Sequence, residues 1–246
     1  MKETLSRRIA AEFLGTGFLV AAVVGSGIMG ERLAAGIVAI ALLANTIATS
    51  AVLVVLLLTF GPVSGAHLNP AVTLAVAMEG GIALREVVPY IGAQCIGAVA
   101  GTITVHLMFG LPLISLSQHA RSGPAQVFSE FVATFGLISV IWGCSRSRSD
   151  AVPVAVGAYI TSAYWFTAST SFANPAVTIA RCLSDTFAGI RPADVIPFII
   201  AQLIAAIVAT FLFRWLVPDI RATAERLLNH EGELPASDCS FESTKS

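Results

Sequence analysis

Asn69-Pro70-Ala71-Val72-Thr73-Leu74-Ala75 returns as Asn174-Pro175-Ala176-Val177-Thr178-Ile179-Ala180, one phrase written twice with a single Leu-to-Ile exchange. Asn followed by Pro reads as an N-cap and the first residue of a helix. The Asn side chain accepts from the new helix's amides, and Pro lacks only an amide that would have no helical partner. The phrase therefore starts two helices in the same way, each inside an apolar stretch and after a short uncharged lead-in, Gly61–Leu68 and Thr167–Ala173.

Working outward, the 246 residues are 56% hydrophobic and only 12% charged, with mean hydropathy +0.82. A soluble chain carries about twice that share of charge. Six apolar segments approach the ~20 residues needed to cross a bilayer: about Ile9–Met29, Leu33–Phe60, Val87–Phe109, Gln126–Gly143, Ala151–Phe166 and Val195–Val217. Glu12 inside the first argues for a retained helix rather than a cleaved leader. The two helices begun by the repeated phrase, expected over Asn69–Met78 and Asn174–Ser184, are too short to span. Ten residues make ~15 Å of helix, half of a ~30 Å hydrocarbon core. Two such halves entering from opposite faces meet at the midplane, where non-helical backbone is tolerated only in protein or beside a wet cavity.

The duplication is wider than the phrase. Ala11-Glu12-Phe13 is echoed by Ser129-Glu130-Phe131, 118 positions on, and Ala93-Gln94 by Ala201-Gln202, 108 positions on; the Asn-Pro-Ala copies lie 105 apart. Three markers in one order define a three-span unit used twice, and an odd number of spans inverts the second copy. Broken helices in inverted repeats hold their site at the midplane. The expected fold is thus an all-α integral membrane protein, with six transmembrane helices, two re-entrant half-helices and an inverted three-span repeat. Residues 1–217 form the membrane domain (repeat one 1–110, repeat two 124–217), followed by a polar, acidic tail, 218–246. Arg and Lys concentrate at alternate ends (Lys2, Arg7 and Arg8; Arg85; Arg146 and Arg148; Arg214 and Arg221), which predicts cytoplasmic termini.

These features resemble the aquaporin, or major intrinsic protein, family across nearly the whole chain. The specific part is Ser64-Gly65-Ala66-His67-Leu68-Asn69-Pro70-Ala71 together with Glu12, Glu130, Gln94 and Gln202. The resemblance implies a passive channel, not an enzyme, a homotetramer with one pore per subunit, and partners limited to small neutral solutes and the lipid bilayer. It implies pore roles for Asn69, Pro70, Ala71, Asn174, Pro175 and Ala176, and loop-anchoring roles for Glu12 and Glu130. His67 is expected to anchor its loop or to line the pore through its backbone. Physically, two helix N-termini, each worth about half a positive charge, face the midplane. Asn side chains beside them offer donors to a hydroxylated solute, and a cation is repelled.

The chain departs from the family at the outer constriction. Most members place Arg directly after the second Asn-Pro-Ala; here the residue is Val177. Family spacing without gaps assigns the remaining constriction positions to Thr49, Ser162 and Ser171. That pattern resembles bacterial aquaglyceroporin-like channels associated with arsenic resistance. It predicts a wide, uncharged, hydroxyl-lined filter passing water, glycerol, urea, arsenite and methylated arsenicals in the cell's inner or plasma membrane. Arg181, one turn beyond Val177 on the same helix face, is expected at the membrane surface with its head in water; the alternative is that it replaces part of the missing charge in the outer vestibule. A water-selective channel and, further off, a coupled transporter using Glu12 or Glu130 are the alternatives. Four scattered cysteines without metal spacing (Cys95, Cys144, Cys182, Cys239) and a net charge of -1 give no reason to expect a metal, a cofactor or nucleic acid.

Overall fold

Apolar segments in lipid satisfy their backbone by coiling into helices. The computed structural model, which describes residues 3–216, is built this way throughout. Its α-helices are α1 (Leu5–Leu33), α2 (Val38–Ser64), α3 (Pro70–Met78), α4 (Leu84–Phe109), α5 (Pro124–Ser147), α6 (Val152–Phe166), α7 (Pro175–Arg181) and α8 (Pro192–Leu216). Five of them, α1, α2, α4, α5 and α8, are long and apolar enough to cross a membrane. The sixth expected span, α6, has 15 residues, ~22 Å of helix. A 3-10 turn, Ser149–Ala151, lengthens it at its start, and beyond its end the chain runs into the second re-entrant segment. The tail from Pro218, with Arg221 and Cys239, lies outside the described residues.

The two repeats pack alike. α1 lies against α4 as α5 lies against α8, and the half-helices α3 and α7 both rest on α4 and α8. Close approach in the first pair depends on glycine: a β-carbon at Gly97 would collide with the Phe13 carbonyl, and one at Gly101 with that of Gly17. The matching α8 positions, Ala205 and Ala209, are fully buried with their methyl groups accommodated. Polarity is inside out. Phe18, Leu43, Val88, Ile96, Phe128 and Phe211 are exposed, whereas Glu12, Gln94, Glu130 and Gln202 are completely buried. Such a surface suits lipid, not water.

Ion pairs identify the two faces. Arg8 at the start of α1 meets Glu86 at the start of α4, 2.9 Å apart, and Arg214 near the end of α8 pairs with Glu79 at the C-cap of α3. Hence α3 runs from the centre toward the face carrying both described chain ends, here the terminal face. The end of α7 meets the segment after α4 instead: Ser115 N donates to Leu183 O (3.0 Å) and Ser117 N to Cys182 O (3.0 Å). So α7 runs toward the opposite, far face. The helix halves enter from opposite sides.

Candidate functional site

Each Asn opens its half-helix as the Asn-Pro spelling requires. Asn69 Oδ1 accepts from Ala71 N at 2.9 Å, and Asn174 Oδ1 from Ala176 N at 3.0 Å and Val177 N at 3.3 Å. Pro70 and Pro175 are the first helical residues. The amide nitrogens then cross between repeats: Asn69 Nδ2 donates to Ala173 O (2.7 Å) and Asn174 Nδ2 to Leu68 O (2.8 Å). One N–H of each amide is thereby fixed, and the second remains for whatever occupies the space between them.

Backbone entering each half-helix is unusual and symmetric. Ala66 and Leu68 have φ of 44° and 49°; Ser171 and Ala173, their counterparts, have 53° and 47°. Non-glycine residues in the left-handed region cost about 1–3 kcal/mol each and persist only where the surroundings impose them. Here the surroundings are two buried carboxylates. Glu12 accepts from His67 N (2.9 Å), Leu68 N (2.7 Å), Ser64 Oγ (2.7 Å) and Gln94 Nε2 (2.7 Å). Glu130 accepts from Phe172 N (2.9 Å), Ala173 N (2.9 Å) and Gln202 Nε2 (2.6 Å). Gln94 and Gln202 also donate to Thr73 and Thr178 inside the half-helices. His67 joins its loop to α3 through Nδ1, 3.1 Å from Thr73 Oγ1, and its ring lies 5.3 Å from that of Tyr90.

Between the half-helices runs a narrow cavity of about 100 Å³ walled by α1, α2, α5, α6, both re-entrant loops, α3 and α7. One wall is apolar (Leu19, Val23, Leu53, Leu137, Ile141, Val156); the other carries Asn69, Asn174, His67 and the loop backbone. Toward the far face Thr49, Ser171 and Val177 all line it. Ser162 does not. It sits on the exposed side of α6 and donates to its own helix at Ala158 O, 3.1 Å. The cavity wall of α6 is Val152, Val156, Ile160 and Tyr164, a strict four-residue step, and Ser162 lies about half a turn away from it. The missed residue is Tyr164, whose hydroxyl donates to Thr49 Oγ1 at 3.3 Å. That four-residue spacing is visible in the sequence and is the signal that would have found it.

Arg181 is a second correction. It is 2% exposed, not snorkelled, and lines the cavity beside Val177. The cause is helix length. α7 stops at Arg181 after seven residues, ~10 Å from the midplane, still inside a half-core of ~15 Å, and the segment after α4 folds over it. Among the described residues Cys95, Cys144 and Cys182 are free and half-buried.

The sequence pattern of the family described as major intrinsic protein matches residues 1–164 and again 145–236. The chain belongs to that family. It is accordingly a multi-pass membrane channel protein rather than a member of an enzyme family. Among relatives, it is 56% identical over 224 residues to aquaglyceroporin AqpS of Rhizobium meliloti (strain 1021), covering 89% of this chain and 96% of that one. It is 28% identical over 248 residues to the probable aquaporin AqpM of Archaeoglobus fulgidus, covering 89% and 100%. In three dimensions it matches the X-ray structure of the aquaglyceroporin from Plasmodium falciparum with TM-score 0.68 at 21% identity, covering 89% of this chain and all of that one. The last likeness concerns the major intrinsic protein fold alone.

Proposed function

We propose that this chain is a passive channel for small neutral solutes with a wide filter, conducting water, glycerol, urea and arsenite, with methylated arsenicals as its bulkiest permeants. The observation that carries the reading is Val177, which lines the cavity directly after the second Asn-Pro-Ala, in the company of Thr49, Ser171 and Tyr164. The side chain directly after the second Asn-Pro-Ala is short and uncharged, and the Ser171 hydroxyl is left without a partner among the described residues. A polyol or the neutral triol arsenite finds hydroxyl partners on one side and an apolar wall on the other. The likeness to a protein named an aquaglyceroporin agrees with this. The chain is further proposed to assemble as a homotetramer in the cell's inner or plasma membrane, with both termini cytoplasmic on the strength of its loop charges.

The test is Val177→Arg in proteoliposomes. Filling the ring with a long side chain should lower glycerol and arsenite permeability at least roughly tenfold, the scale on which a snug pocket discriminates by added bulk, while water flux falls less. Glycerol and arsenite fluxes equal to those of the unaltered chain would remove the wide-filter reading.

A further inference from the structure

The repeat keeps its symmetry at Val177 and breaks it one turn later. Val72 and Val177 are counterparts 105 positions apart, and both line the cavity. At the same offset Val76 corresponds to Arg181, and these too line the cavity, one toward each face. A fully buried guanidinium thus stands where the first repeat has an isopropyl group.

Its surroundings are built, but they do not consume it. The guanidinium carbon lies 3.4 Å from the centroid of the Phe172 ring, which is braced edge-on by Phe198, 5.4 Å away at 89°. Nε donates to Ala188 O. Of the five N–H donors an arginine carries, the remaining four have no protein acceptor among the described residues, and none of their ion pairs includes Arg181. Arg121 provides a control. Also buried and also against Phe172, it spends its nitrogens on Gly189 O (2.8 Å), Ser169 O (3.2 Å) and Phe187 O (3.5 Å). Arg121 is the brace of the loop after α7. Arg181 adds one bond to that brace and presents the rest of its fork to the cavity.

An uncompensated charge is costly inside a protein, and within a membrane domain an ionisable side chain on a wet cavity marks the solute path. We propose that Arg181 is the specificity-determining donor of the far vestibule: its guanidinium hydrogen-bonds the oxygens of neutral polyhydroxyl solutes and holds the barrier against cations. This rests on the wide-pore reading above and deepens it. Size selection belongs to the ring of Thr49, Tyr164, Ser171 and Val177. Charge selection belongs to Arg181, whose backbone lies four residues or ~6 Å further out and whose guanidinium stacks on Phe172, the neighbour of Ser171. Because the two tasks fall to different side chains, the ring can be wide without the pore becoming leaky to ions.

The experiment uses the full chain in proteoliposomes, as the unaltered protein and as Arg181→Gln and Arg181→Lys. Water and glycerol permeabilities are taken from light scattering, and proton and methylammonium leak from an entrapped pH dye. Arg181→Gln should raise cation leak at least roughly tenfold, because a unit charge a few ångströms from the path in a low-dielectric pore outweighs one decade. It should also lower the glycerol-to-water permeability ratio by roughly tenfold, the loss of a hydrogen bond to a charged group. Arg181→Lys should keep cations out yet lower the glycerol-to-water ratio, since a compact ammonium does not reproduce the fork. Leak and ratio both unchanged in Arg181→Gln would reduce Arg181 to a brace. If that variant fails to assemble, a Lys variant with an unchanged ratio overturns the proposal equally. An unaltered protein that passes water but no glycerol sinks the wide-pore reading instead, and the leak measurement still judges Arg181.

Discussion

The two re-entrant halves differ least where they hold themselves together and most where they face what passes between them. Glu12 with Gln94 and Glu130 with Gln202 make the same backbone contacts around the same left-handed residues. The aromatic pairs are also counterparts: His67 against Tyr90 in one half, Phe172 against Phe198 in the other. Yet the first half places an imidazole in the loop and Val76 on the cavity, and the second a phenyl ring and Arg181. Anchoring is therefore separable from the selection proposed for the cavity side chains. A common scaffold fixes two loops, and a few side chains on it make one mouth of the pore unlike the other.

Substitutions at the anchors should cost most. Glu12→Ala strands four donors and Glu130→Ala three. At about 1–3 kcal/mol for each buried unsatisfied group, either variant should lose at least about 3 kcal/mol and fail to yield a stable channel. Thermal unfolding in detergent of the milder Glu→Gln variants should rank Glu12 as the costlier site, by the ~1 kcal/mol that a hydroxyl bond from Ser64 is worth. Equal losses would mean that Ser64 contributes nothing and that the anchors are energetically identical.

A smaller contrast lies in the helix pairs behind the half-helices. Gly97 has no room for a β-carbon beside the Phe13 carbonyl, whereas Ala205 in the second repeat already has one. Gly97→Ala should destabilise by about 1–3 kcal/mol through overpacking, despite improving helix propensity. Ala205→Gly should destabilise by about 1 kcal/mol through that same propensity. The identical pair of residues therefore gives opposite preferences in the two repeats. A melting temperature raised by Gly97→Ala would show that α1 and α4 are not in close contact.

Much of this was legible in the sequence because it depends on local spelling. Asn-Pro fixes a helix start through one cap and one missing amide, so α3 and α7 begin where expected. Apolar length fixes spans, and the ends of α1, α2, α4, α5 and α8 fall within about five residues of expectation. What was not legible depends on the length of loops and on contacts across the fold. Counting back from Asn174 without gaps lands on Ser162, half a turn from the cavity face of α6, because the non-helical segment Thr167–Ala173, with its turn and left-handed residues, sets that register and helical period does not. Arg181 reads as a surface residue when α7 is extended to Ser184. It is buried because the helix is three residues shorter and the chain from Pro112 to Arg121 covers its end. The Glu79–Arg214 pair joins residues 135 apart with no pattern between them.

The finest difference, His67 against Phe172, yields the smallest expected effect and the closest test of why the halves diverged. His67→Phe removes one bond to Thr73, but Thr73 keeps its bond to Asn69 O and still accepts from Gln94. It also removes Nε2, a buried nitrogen with no partner among the described residues. The variant should therefore lie within about 1 kcal/mol of the unaltered chain. Phe172→His is the reverse exchange and should be the more costly of the two. An imidazole offers a guanidinium a poorer face than a phenyl ring does, so the stack under Arg181, worth about 0.5–2 kcal/mol, is weakened, and a new polar atom is buried against Phe198. If the first half has a His because its loop bonds to Thr73, and the second a Phe because it carries an arginine, unfolding in detergent must rank the two exchanges in that order. Equal costs would show that Arg181 draws no stability from the ring beneath it.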